Sequence, residues 1–412
     1  MSVGQRVLET RVEKSAAVLQ EAPAHWSYSA LKEVETCALR FSLATANYPA
    51  LWGGYGYPRP AQVSALFGNI VHDALELIVR ALVAAGCTTS SSPDAVVVLR
   101  ALGGYSAVVI SALKRRIAAL ESNPRVCATR RGQIQRQLED RVPEARTAVQ
   151  SRLSRMTLTP RLSRAEINET RTAVAGHSRH ALSPGTYTEV ALLADELRAK
   201  GRLDILTITG DFADITDHKT GLEDPAHLDQ LRFYGELWTH DLVANPRRTP
   251  LRKLTLAYPN RDVSIDVSDD SDASDFSESI KARVLEADKR IEVDQPDATT
   301  GPHCSHCSVR SVCAVYWTTM IAVPSSVAPQ AWFDFEGIVG AQNGANSWWM
   351  LDLSGTRPVL LLRTTSAIAS LSRGQRVRLV GIRRDADPET EAVVATLTTG
   401  SEVFVVVDDR TD

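Results

Sequence analysis

The chain has 412 residues, of which 44% are hydrophobic and 23% are charged, and its formal net charge is −3. A chain of this length is sufficient for roughly two or three domains with their own cores, and we expect an ordinary soluble protein. The near-neutral balance excludes a globally basic field, so any binding of nucleic acid has to use local patches.

The first informative segment is an apolar stretch over residues 66–86, in which the spacing of the apolar residues predicts a buried helix. It contains the run Gly68-Asn-Ile-Val-His72. A histidine one turn after a glycine could bring a neutral imidazole to a metal ion, with Gly68 permitting a close approach. The alternative is a core histidine whose polar atoms are satisfied by the protein.

A long region at about 93–175 is predicted to be helical, and it is rich in basic residues with far fewer acids. These basic residues are Lys114, Arg115, Arg116, Arg125, Arg130, Arg131, Arg136, Arg141, Arg146, Arg152, Arg155, Arg161, Arg164 and Arg171. They could contact the phosphates of single-stranded DNA, and binding would then fall steeply with salt. They could equally form ion pairs on a solvated helical face.

A β-hairpin is predicted next. Residues 202–208 and 212–219 are both rich in β-branched and apolar side chains, and Gly210-Asp211 between them predicts a tight turn. With the turn centred between these two residues, Asp204 lies directly opposite Asp217, with their Cβ atoms about 5 Å apart. Lys219 is two residues further along the strand and therefore on the same face as Asp217.

This arrangement indicates a chemistry. Two carboxylates so close repel each other unless a cation lies between them, which predicts a divalent metal ion. Mg²⁺ or Mn²⁺ there would bind a scissile phosphate and lower the pKa of a bound water, while Lys219 would position that water or offset developing negative charge. Glu189, in the strand-like TEVALLA (188–194), is a candidate further acid near the metal. The alternative is a solvated hairpin with ordinary surface charges.

A helix is predicted after the hairpin. Gln230 and Tyr234 are four residues apart and share a helix face, where they could hydrogen-bond the backbone or a base of DNA. A plain amphipathic helix is the alternative. Further on, residues 253–258 are predicted to form a strand. The acidic, serine-rich stretch 262–279 is predicted to be an exposed loop leading into a helix near 277–292.

The chain has six cysteines. Cys304, Cys307 and Cys313 have the close spacing of metal ligands, and a fourth ligand would have to come from elsewhere. No signal peptide or apolar run long enough to span a membrane is recognisable, so we expect the reducing cytoplasm, no membrane partner and no disulfides. Cys87 and Cys127 are expected to be buried small residues.

The Pro/Ser-rich stretch 323–330 is the clearest domain boundary, and the short strand-like runs after it predict a small all-β barrel, OB-like. Arg376 and Arg378 alternate with apolar residues and are expected on its outer face. Four aromatic residues could stack on bases: Trp332, Phe335, Trp348 and Trp349. Half of these are expected in the core by strand alternation alone, and such a barrel could equally bind a protein.

Four motifs in this order resemble the RecB-type branch of the PD-(D/E)XK nucleases, over residues from about 25 to 320. They are Gly-x-x-x-His at 68–72, Gly-Arg-Leu-Asp at 201–204, Asp-x-Lys-Thr at 217–220 and Gln-x-x-x-Tyr at 230–234. The segment SYSALKEVETCALRFSL (27–43) is similar to the family's Ser-x-Ser-x-Leu…Cys start. There are two departures: Asp217 stands where Glu is commoner, and Ala38 replaces the proline that often follows the first cysteine.

The resemblance implies a role for each matching residue. His72, Asp204 and Asp217 would bind the metal. The carbonyl group of His218 would add a ligand, and Lys219 would be catalytic.

Relatives that carry an iron–sulfur cluster, similar to AddB and the CRISPR-associated iron–sulfur exonucleases, draw a fourth cysteine from the N-terminal segment. The resemblance therefore implies a [4Fe–4S] cluster that joins the N-terminal helix to the end of the nuclease domain. Its ligands would be Cys37, Cys304, Cys307 and Cys313. Zinc is the rival, with His303 or His306 able to replace a thiolate, although a zinc ribbon more often has two Cys-x-x-Cys knuckles.

We therefore predict an α/β protein with a PD-(D/E)XK restriction-endonuclease-like core over residues 1–325, including the helical insertion, followed by an OB-like barrel over residues 326–412. The predicted activity is metal-dependent hydrolysis of DNA by an exonuclease that acts on single strands or single-stranded ends, in repair or anti-phage defence. Gln230 and Tyr234 would orient the strand. Because no P-loop occurs, duplex ends would need a separate helicase or ATPase subunit.

Two other functions fit the same sequence. The chain could be a catalytically silent scaffold that recognises DNA ends within a helicase complex. It could also be an RNA-directed or signal-activated nuclease, since the fold alone does not select DNA over RNA.

Overall fold

The computed structural model describes residues 17–49, 54–161, 179–267, 273–364, 371–386 and 392–406. The helices in these ranges are α1 (Tyr28–Thr36), α2 (Ala38–Thr45), α3 (Val63–Ala84), α4 (Pro93–Ala101), α5 (Gly104–Ala119), α6 (Ala128–Glu139), α7 (Val142–Ser154), α8 (Pro225–His240), α9 (Ala273–Ile291) and α10 (Ala314–Thr319). The strands are β1 (Asn47–Tyr48), β2 (Gly54–Tyr55), β3 (Gly185–Ala194), β4 (Ala199–Ile208), β5 (Ala213–His218), β6 (Leu251–Ala257), β7 (Asp262–Asp266), β8 (Trp332–Gly344), β9 (Ser347–Leu351), β10 (Pro358–Thr364), β11 (Arg376–Arg384), β12 (Val394–Leu397) and β13 (Glu402–Val406).

A five-stranded sheet forms the centre of the first part of the chain, with the order β3-β4-β5-β6-β7. Its neighbouring strands are antiparallel except for β5 and β6, which are parallel. A parallel pair needs a crossover connection, and α8 supplies it between these two strands. Residues of α1, α8 and α9 share one apolar core with the sheet. The predicted mixed α/β class is therefore confirmed.

The predicted hairpin register is confirmed by β4 and β5, in which Ile205 pairs with Thr216 and Leu206 pairs with Ile215. At the turn, the Thr209 amide donates to the Phe212 carbonyl at 2.8 Å. A shift of one residue would turn every side chain to the opposite face. This register therefore decides which acids meet at the end of the hairpin.

The N-terminal helix is tied to a distant part of the chain. Trp26 lies just before α1, is fully buried, and donates from its indole Nε1 to Asp288 Oδ1 of α9 at 3.0 Å. Arg283 of α9 donates to Glu35 at 2.6 Å. Helices α1 and α9 therefore pack as neighbours on the sheet.

A second apolar core lies among α3 to α7, and Ile205 of the sheet belongs to it. The helix predicted over residues 66–86 is confirmed as α3. The helical region predicted at about 93–175 is confirmed as α4 to α7, and residues 162–178, with Arg164 and Arg171, lie outside the described residues.

Within the described ranges, no single helix is both long and apolar enough to cross a bilayer. One bent pair of helical segments is long and apolar enough only when its two members are taken together. These are Pro93–Ala101 and Gly104–Ser122, which meet at an angle of 41°.

The prediction of a loop over residues 262–266 is wrong, because these residues form β7 at the edge of the sheet. Its backbone pairs with β6, for example Thr255 with Ser264, whose hydroxyl oxygens lie 3.0 Å apart. Val263 and Ile265 alternate with charged and polar residues, which is the pattern of a strand with one covered face. The helix predicted near 277–292 begins earlier, at Ala273, and ends at Ile291.

The C-terminal part forms a six-stranded sheet with the order β12-β10-β9-β8-β11-β13. Strand β12 pairs with β10 in parallel and also with β11 in antiparallel orientation. The pairings therefore form a closed cycle, in which each strand pairs with the next in the order β8, β9, β10, β12, β11 and β11 pairs again with β8. The short strand-like runs predicted after residue 330 are confirmed as β8 to β13, while the boundary at 325/326 stays a prediction.

Candidate metal centre

Asp204 links strand β5 to helix α3. Its Oδ2 accepts a hydrogen bond from the backbone N–H of His218 at 2.6 Å, and its Oδ1 lies 3.4 Å from Nδ1 of His72. The hairpin register places Asp204 beside the backbone N–H of His218. Helix α3 carries the His72 imidazole one turn after Gly68. The predicted meeting of the histidine with the first acid is therefore present in the structure.

Gly68 permits this approach of α3. A Cβ atom at Gly68 would lie 2.9 Å from Oγ1 of Thr220, the residue after Lys219. Gly68 therefore allows α3 to pack closely on the residue after Lys219, while the predicted close approach to a metal ion stays a prediction.

Asp217 begins a chain of polar contacts that runs through Lys219. The Lys219 Nζ lies 2.7 Å from Asp217 Oδ2 and donates to Gln230 Oε1 at 2.6 Å. Gln230 Nε2 in turn donates to the Tyr234 hydroxyl at 2.8 Å. Gln230 and Tyr234 share a face of α8 as predicted, and in this structure they hold the lysine. Their contact with a strand of DNA stays a prediction.

Glu189 completes a group that sequence reasoning treated only as a candidate. The pairs Thr188–Ile205 and Val190–Leu203 place Glu189 opposite Asp204 across β3 and β4. Ligand atoms of His72, Glu189 and Asp204 all lie within 4.8 Å of one another, and in the described part of the chain this is the one such group of His, Cys, Asp and Glu.

The backbone at Glu189 is unusual. Its φ angle is +52°, in the left-handed region that non-glycine residues rarely adopt. Such a conformation costs on the order of 1–3 kcal/mol and persists where the surroundings impose it. The strand-like pattern of 188–194 suggested an acid on this strand, but it contained no signal for this conformation.

Burial and mutual repulsion set the protonation of the acids. Burial and the charge of Asp204 raise the pKa of Asp217 to about 6, although Lys219 works against this. Burial also opposes ionisation of Asp204, but His72 and the N–H and ring of His218 hold its pKa below the ordinary value. Burial and the charges of Asp204 and Glu76 raise the pKa of Glu189. A divalent cation would relieve this repulsion.

The two histidines differ in environment. Burial disfavours protonation of His72, yet its hydrogen bond with Asp204 and the charges of the acids raise its pKa above the ordinary value. Burial lowers the pKa of His218 to about 3 although Asp204 opposes the shift, so this ring is neutral. The predicted role of the His218 carbonyl as a ligand stays a prediction.

Most of the basic residues predicted to contact phosphates are engaged within the protein. Arg125 and Arg152 are buried and their guanidinium groups donate hydrogen bonds within the protein, which corrects the prediction for these two. Ion pairs join Arg116 to Asp73, Arg131 to Glu121, Arg141 to Glu144 and Arg155 to Asp262. Among the described residues, six basic side chains of this region have no ion pair: Lys114, Arg130, Arg136, Arg146, Arg152, which donates to carbonyl groups, and Arg161, which lies over the Tyr187 ring.

The four predicted cysteine ligands line a single cavity. It lies between the start of α2, where Cys37 is the N-cap, and the segment that carries Cys304, Cys307 and Cys313. Burial, reinforced by the charges of neighbouring cysteines, raises the pKa values of the Cys307 and Cys313 thiols. The lining also contains Arg40, Arg310 and His303, so positive charge faces the sulfur atoms.

The remaining cysteines lie elsewhere. Cys87 is buried in the core of α3 to α7, as predicted. Cys127 is only half-buried and caps α6, with its sulfur 3.5 Å from the Arg130 amide, so the prediction of burial is wrong for it.

The outer face of the C-terminal sheet is partly covered. Arg378 is buried; it donates to Glu336 at 3.0 Å and to the Ser311 carbonyl at 2.7 Å, with its guanidinium 5.0 Å from the Trp317 ring centre. Arg376 pairs with the same glutamate at 3.0 Å. The arginines do leave the core, but the cysteine-bearing segment covers Arg378, which corrects its prediction as an accessible residue.

The aromatic residues divide as strand alternation predicts. Phe335 and Trp348 belong to the core of the C-terminal sheet. Trp349 is half-buried, and Trp332 is 59% exposed. Only the last two are available to a ligand.

Comparison with known proteins gives one family. Residues 25–314 match the family model described as the PD-(D/E)XK nuclease superfamily. No match was found among curated proteins. Two crystal structures are similar at a low level. The p204 HINb domain has a TM-score of 0.19 and 9% identity, and the match covers 56% of this chain and 100% of that domain. SSO0001 has a TM-score of 0.20 and 16% identity, and the match covers 43% of this chain and 80% of SSO0001.

Proposed function

Because this chain belongs to the PD-(D/E)XK nuclease superfamily, we propose that it is a metal-dependent deoxyribonuclease that acts on single-stranded DNA or single-stranded ends. The observation that carries the proposal is the junction of β4 and β5. Asp204 and Asp217 are the residues next to the last pair of these strands, Ile205–Thr216, and the Lys219 ammonium lies 2.7 Å from Asp217. Acid pairs with an adjacent ammonium suit the hydrolysis of phosphodiesters.

The donor set fits Mg²⁺ or Mn²⁺. His72, Glu189 and Asp204 have converging ligand atoms, and Asp217 adds a carboxylate whose pKa is raised by burial and by the charge of Asp204. Carboxylate oxygens with one imidazole are ligands that these ions accept. A bound ion would polarise the scissile phosphate and promote ionisation of the attacking water.

The remaining residues of the site position groups and hold charge. Lys219 is placed to hold the attacking water or to offset negative charge on the phosphate. Gln230 directs the ammonium, since its carbonyl oxygen accepts from Nζ. The Tyr234 hydroxyl accepts from Gln230 and can still donate, which supports a role for this pair in orienting the strand.

We further propose that the cysteine cavity holds a [4Fe–4S] cluster. Cys37, Cys304, Cys307 and Cys313 line one cavity. Four thiolates around one site are the ligand set of such a cluster. A single zinc ion bound by the same thiolates is the alternative.

The C-terminal sheet is proposed to be an OB-like barrel. The support is its cycle of pairings, in which β12 joins both β10 and β11. Trp332 and Trp349 are the aromatic residues outside its core that could stack on bases. A peptide partner is the alternative ligand of this surface.

The finer classification is also proposed: a RecB-type exonuclease of DNA repair or anti-phage defence, working with a separate helicase where the DNA is duplex. The order of the four motifs supports it. The cytoplasm is the proposed location.

The test is cleavage of end-labelled single-stranded and duplex DNA by anaerobically purified protein, with and without Mn²⁺. We expect metal-dependent loss of the single strand, and no cleavage by Asp217→Ala. Asp214→Ala is the matched control, because this acid lies on the same strand but pairs with Arg252 at the surface. The product ladder would report polarity and separate exonuclease from endonuclease action.

Two outcomes would support the other functions. DNA binding without cleavage, unchanged in Asp217→Ala, would favour the silent scaffold. Faster cleavage of a matched RNA oligonucleotide, or cleavage only after a partner or signal is added, would favour the RNA-directed or activated nuclease.

A further inference from the structure

Arg152 is a buried cation with no carboxylate beside it. It lies in the last turn of α7 and is 1% exposed. Its Nη2 donates to the carbonyl oxygen of Lys219 at 2.7 Å, and its Nη1 donates to the carbonyl of Ala148 in its own helix at 3.2 Å. Among the described residues, no carboxylate oxygen lies within 4.0 Å of its guanidinium, and its Nε has no hydrogen-bond partner.

The contrast with Arg125 shows how unusual this is. Arg125 is the other buried arginine of the helical region, and it forms a two-point ion pair with Glu402 at 2.7 and 2.6 Å. Burial of a charge without a paired counter-charge costs several kcal/mol. An arginine that remains buried in this way must be compensated by something else nearby.

Asp204 of the metal centre and Asp262 of β7 supply part of that compensation. Burial and the charge of Arg155 lower the pKa of Arg152 to about 10, while the negative charges of Asp204 and Asp262 oppose that shift. The side chain is therefore cationic at neutral pH. Asp204, Asp217 and Glu189 repel one another before any metal binds, and a fixed positive charge behind them reduces that repulsion.

The hydrogen bond also fixes the backbone of the catalytic lysine. The Lys219 N–H donates to the Ala257 carbonyl of β6 at 3.0 Å, and the Lys219 carbonyl accepts from Arg152. The backbone of Lys219 is thus held at both its amide and its carbonyl. The Lys219 side chain extends from this fixed backbone to Asp217 and Gln230.

The same end of α7 contacts the turn between β6 and β7. Ser151 Oγ donates to the Pro259 carbonyl at 3.3 Å, and Arg155 donates to the Tyr258 carbonyl at 2.8 Å. Helix α7 is therefore docked on the sheet. Of Ser151, Arg152 and Arg155, only Arg152 contacts Lys219.

We propose that Arg152 is a positioning residue for Lys219, and that its unpaired charge serves as a built-in counter-charge for the acids of the metal centre. The inference rests on the proposed nuclease function for its kinetic consequences. Its structural part, the placement of the Lys219 ammonium, can be measured without any cleavage.

The test compares Arg152→Met, Arg152→Lys and the control Ser151→Ala, which loses a docking contact of α7 but none to Lys219. All are assayed at a temperature below the onset of unfolding. We expect Arg152→Met to lower kcat by about 10- to 100-fold with KM for DNA changed less than about threefold. Arg152→Lys, which can still donate to the carbonyl, recovers most of the loss, and Ser151→Ala stays near wild type.

Two further readouts do not depend on cleavage. Calorimetric titration with Mn²⁺ should show affinity in Arg152→Met that is unchanged or tighter, because a repelling positive charge is removed. The NMR signal of ¹³C-dimethylated Lys219, assigned with Lys219→Arg, should move in Arg152→Met and not in Ser151→Ala.

Each contrary result has a distinct meaning. Wild-type kcat and an unmoved Lys219 signal in Arg152→Met would overturn the proposal. A rise in KM alone would make Arg152 a contact to the strand, and a joint loss of Mn²⁺ affinity and kcat would reduce it to a structural role. Absence of Asp217-dependent cleavage in the wild type would reject the nuclease function, while the Lys219 signal would still decide whether Arg152 positions the lysine.

Discussion

Gly201 lies directly against Tyr234, so that a Cβ atom at this position would come within 2.9 Å of the Tyr234 ring and 2.7 Å of Leu237 Cδ1. The glycine that begins the Gly-Arg-Leu-Asp motif thus sets how closely α8 packs on β4. The position of Gln230, which holds Lys219, depends on the same packing.

We expect Gly201→Ala to lower the free energy of unfolding by about 1–3 kcal/mol, because the added methyl group overpacks this contact. It should also lower kcat by displacing α8. Urea denaturation measures the first effect. Gly210→Ala in the hairpin turn is the control, since nothing lies within 4 Å of its Cβ position, and equal losses in both variants would contradict the packing argument.

Replacing Glu189 by Gln should weaken Mn²⁺ binding by about tenfold and slow cleavage at limiting metal, because one charged ligand is lost from the group with His72 and Asp204. Isothermal titration calorimetry measures the affinity. Glu196→Gln is the control, since that acid pairs with His240 and Lys281 away from the centre. Unchanged Mn²⁺ affinity in Glu189→Gln would remove Glu189 from the site.

The affinity for Mn²⁺ should rise with pH. Asp217, with a pKa of about 6, and His72, with a raised pKa, must both lose their protons to bind a cation. Below pH 6 affinity should therefore increase at least about tenfold per unit and level off only above the ordinary range of histidine. In Asp217→Asn the dependence below pH 6 should become shallower. A flat profile in the wild type would show that neither group titrates on binding.

Removal of the Gln230 side chain tests whether it acts on the lysine or on the strand. In Gln230→Ala we expect kcat to fall by about tenfold with little change in KM, because Lys219 Nζ loses its acceptor. Tyr234→Phe should have a smaller effect of the same kind. Steady-state kinetics on a labelled oligonucleotide separate the two parameters, and an increase confined to KM would favour direct contact with DNA.

Asp334 couples the C-terminal sheet to the cysteine-bearing segment. Its Oδ2 accepts from Arg310 at 2.6 Å and from the Tyr316 hydroxyl at 2.8 Å, and its Oδ1 accepts from the Gly381 amide at 2.7 Å. We expect Asp334→Ala to destabilise the protein by about 1–3 kcal/mol, since the half-buried Arg310, the Tyr316 hydroxyl and the Gly381 amide lose their acceptor. It should also reduce the iron bound per chain.

Thermal unfolding and iron analysis after anaerobic purification measure these effects. Asp352→Ala is the control, since this acid lies in the turn after β9 and its hydrogen bonds stay within that turn. Retention of iron in Asp334→Ala at the wild-type level would separate the sheet from the cysteine cavity. Because of this contact, point variants such as Trp332→Ala test DNA binding by the C-terminal part more cleanly than its deletion.

The hairpin of β4 and β5 and its register could be predicted from turn residues and side-chain alternation alone. A turn at Gly210-Asp211 and alternating side chains determine one register, and that register places Asp204 and Asp217 together. The motifs around His72, Lys219 and Gln230 could be read in the same way, because helix and strand periodicity decide which residues share a face.

Tertiary packing decided what local rules could not. Alternation along β11 places Arg378 outside the core, but nothing in the strand shows that the segment from Ser311 to Trp317 covers it. Strand β7 is polar enough to resemble a loop, and it becomes a strand because β6 offers it an unpaired edge. The burial of Arg152 likewise depends on where α7 docks.

The bond between Trp26 and Asp288 spans 262 residues of chain. A nascent polypeptide cannot make it until residue 288 has been synthesised, whereas the hairpin of β4 and β5 needs only its own residues. Contacts so distant in sequence form slowly because closing a long loop of chain costs entropy. During synthesis the N-terminal segment can therefore pair with β4 first, through the backbone bonds of Trp26 with Arg198 and Lys200, and it gains its contact with α9 only later.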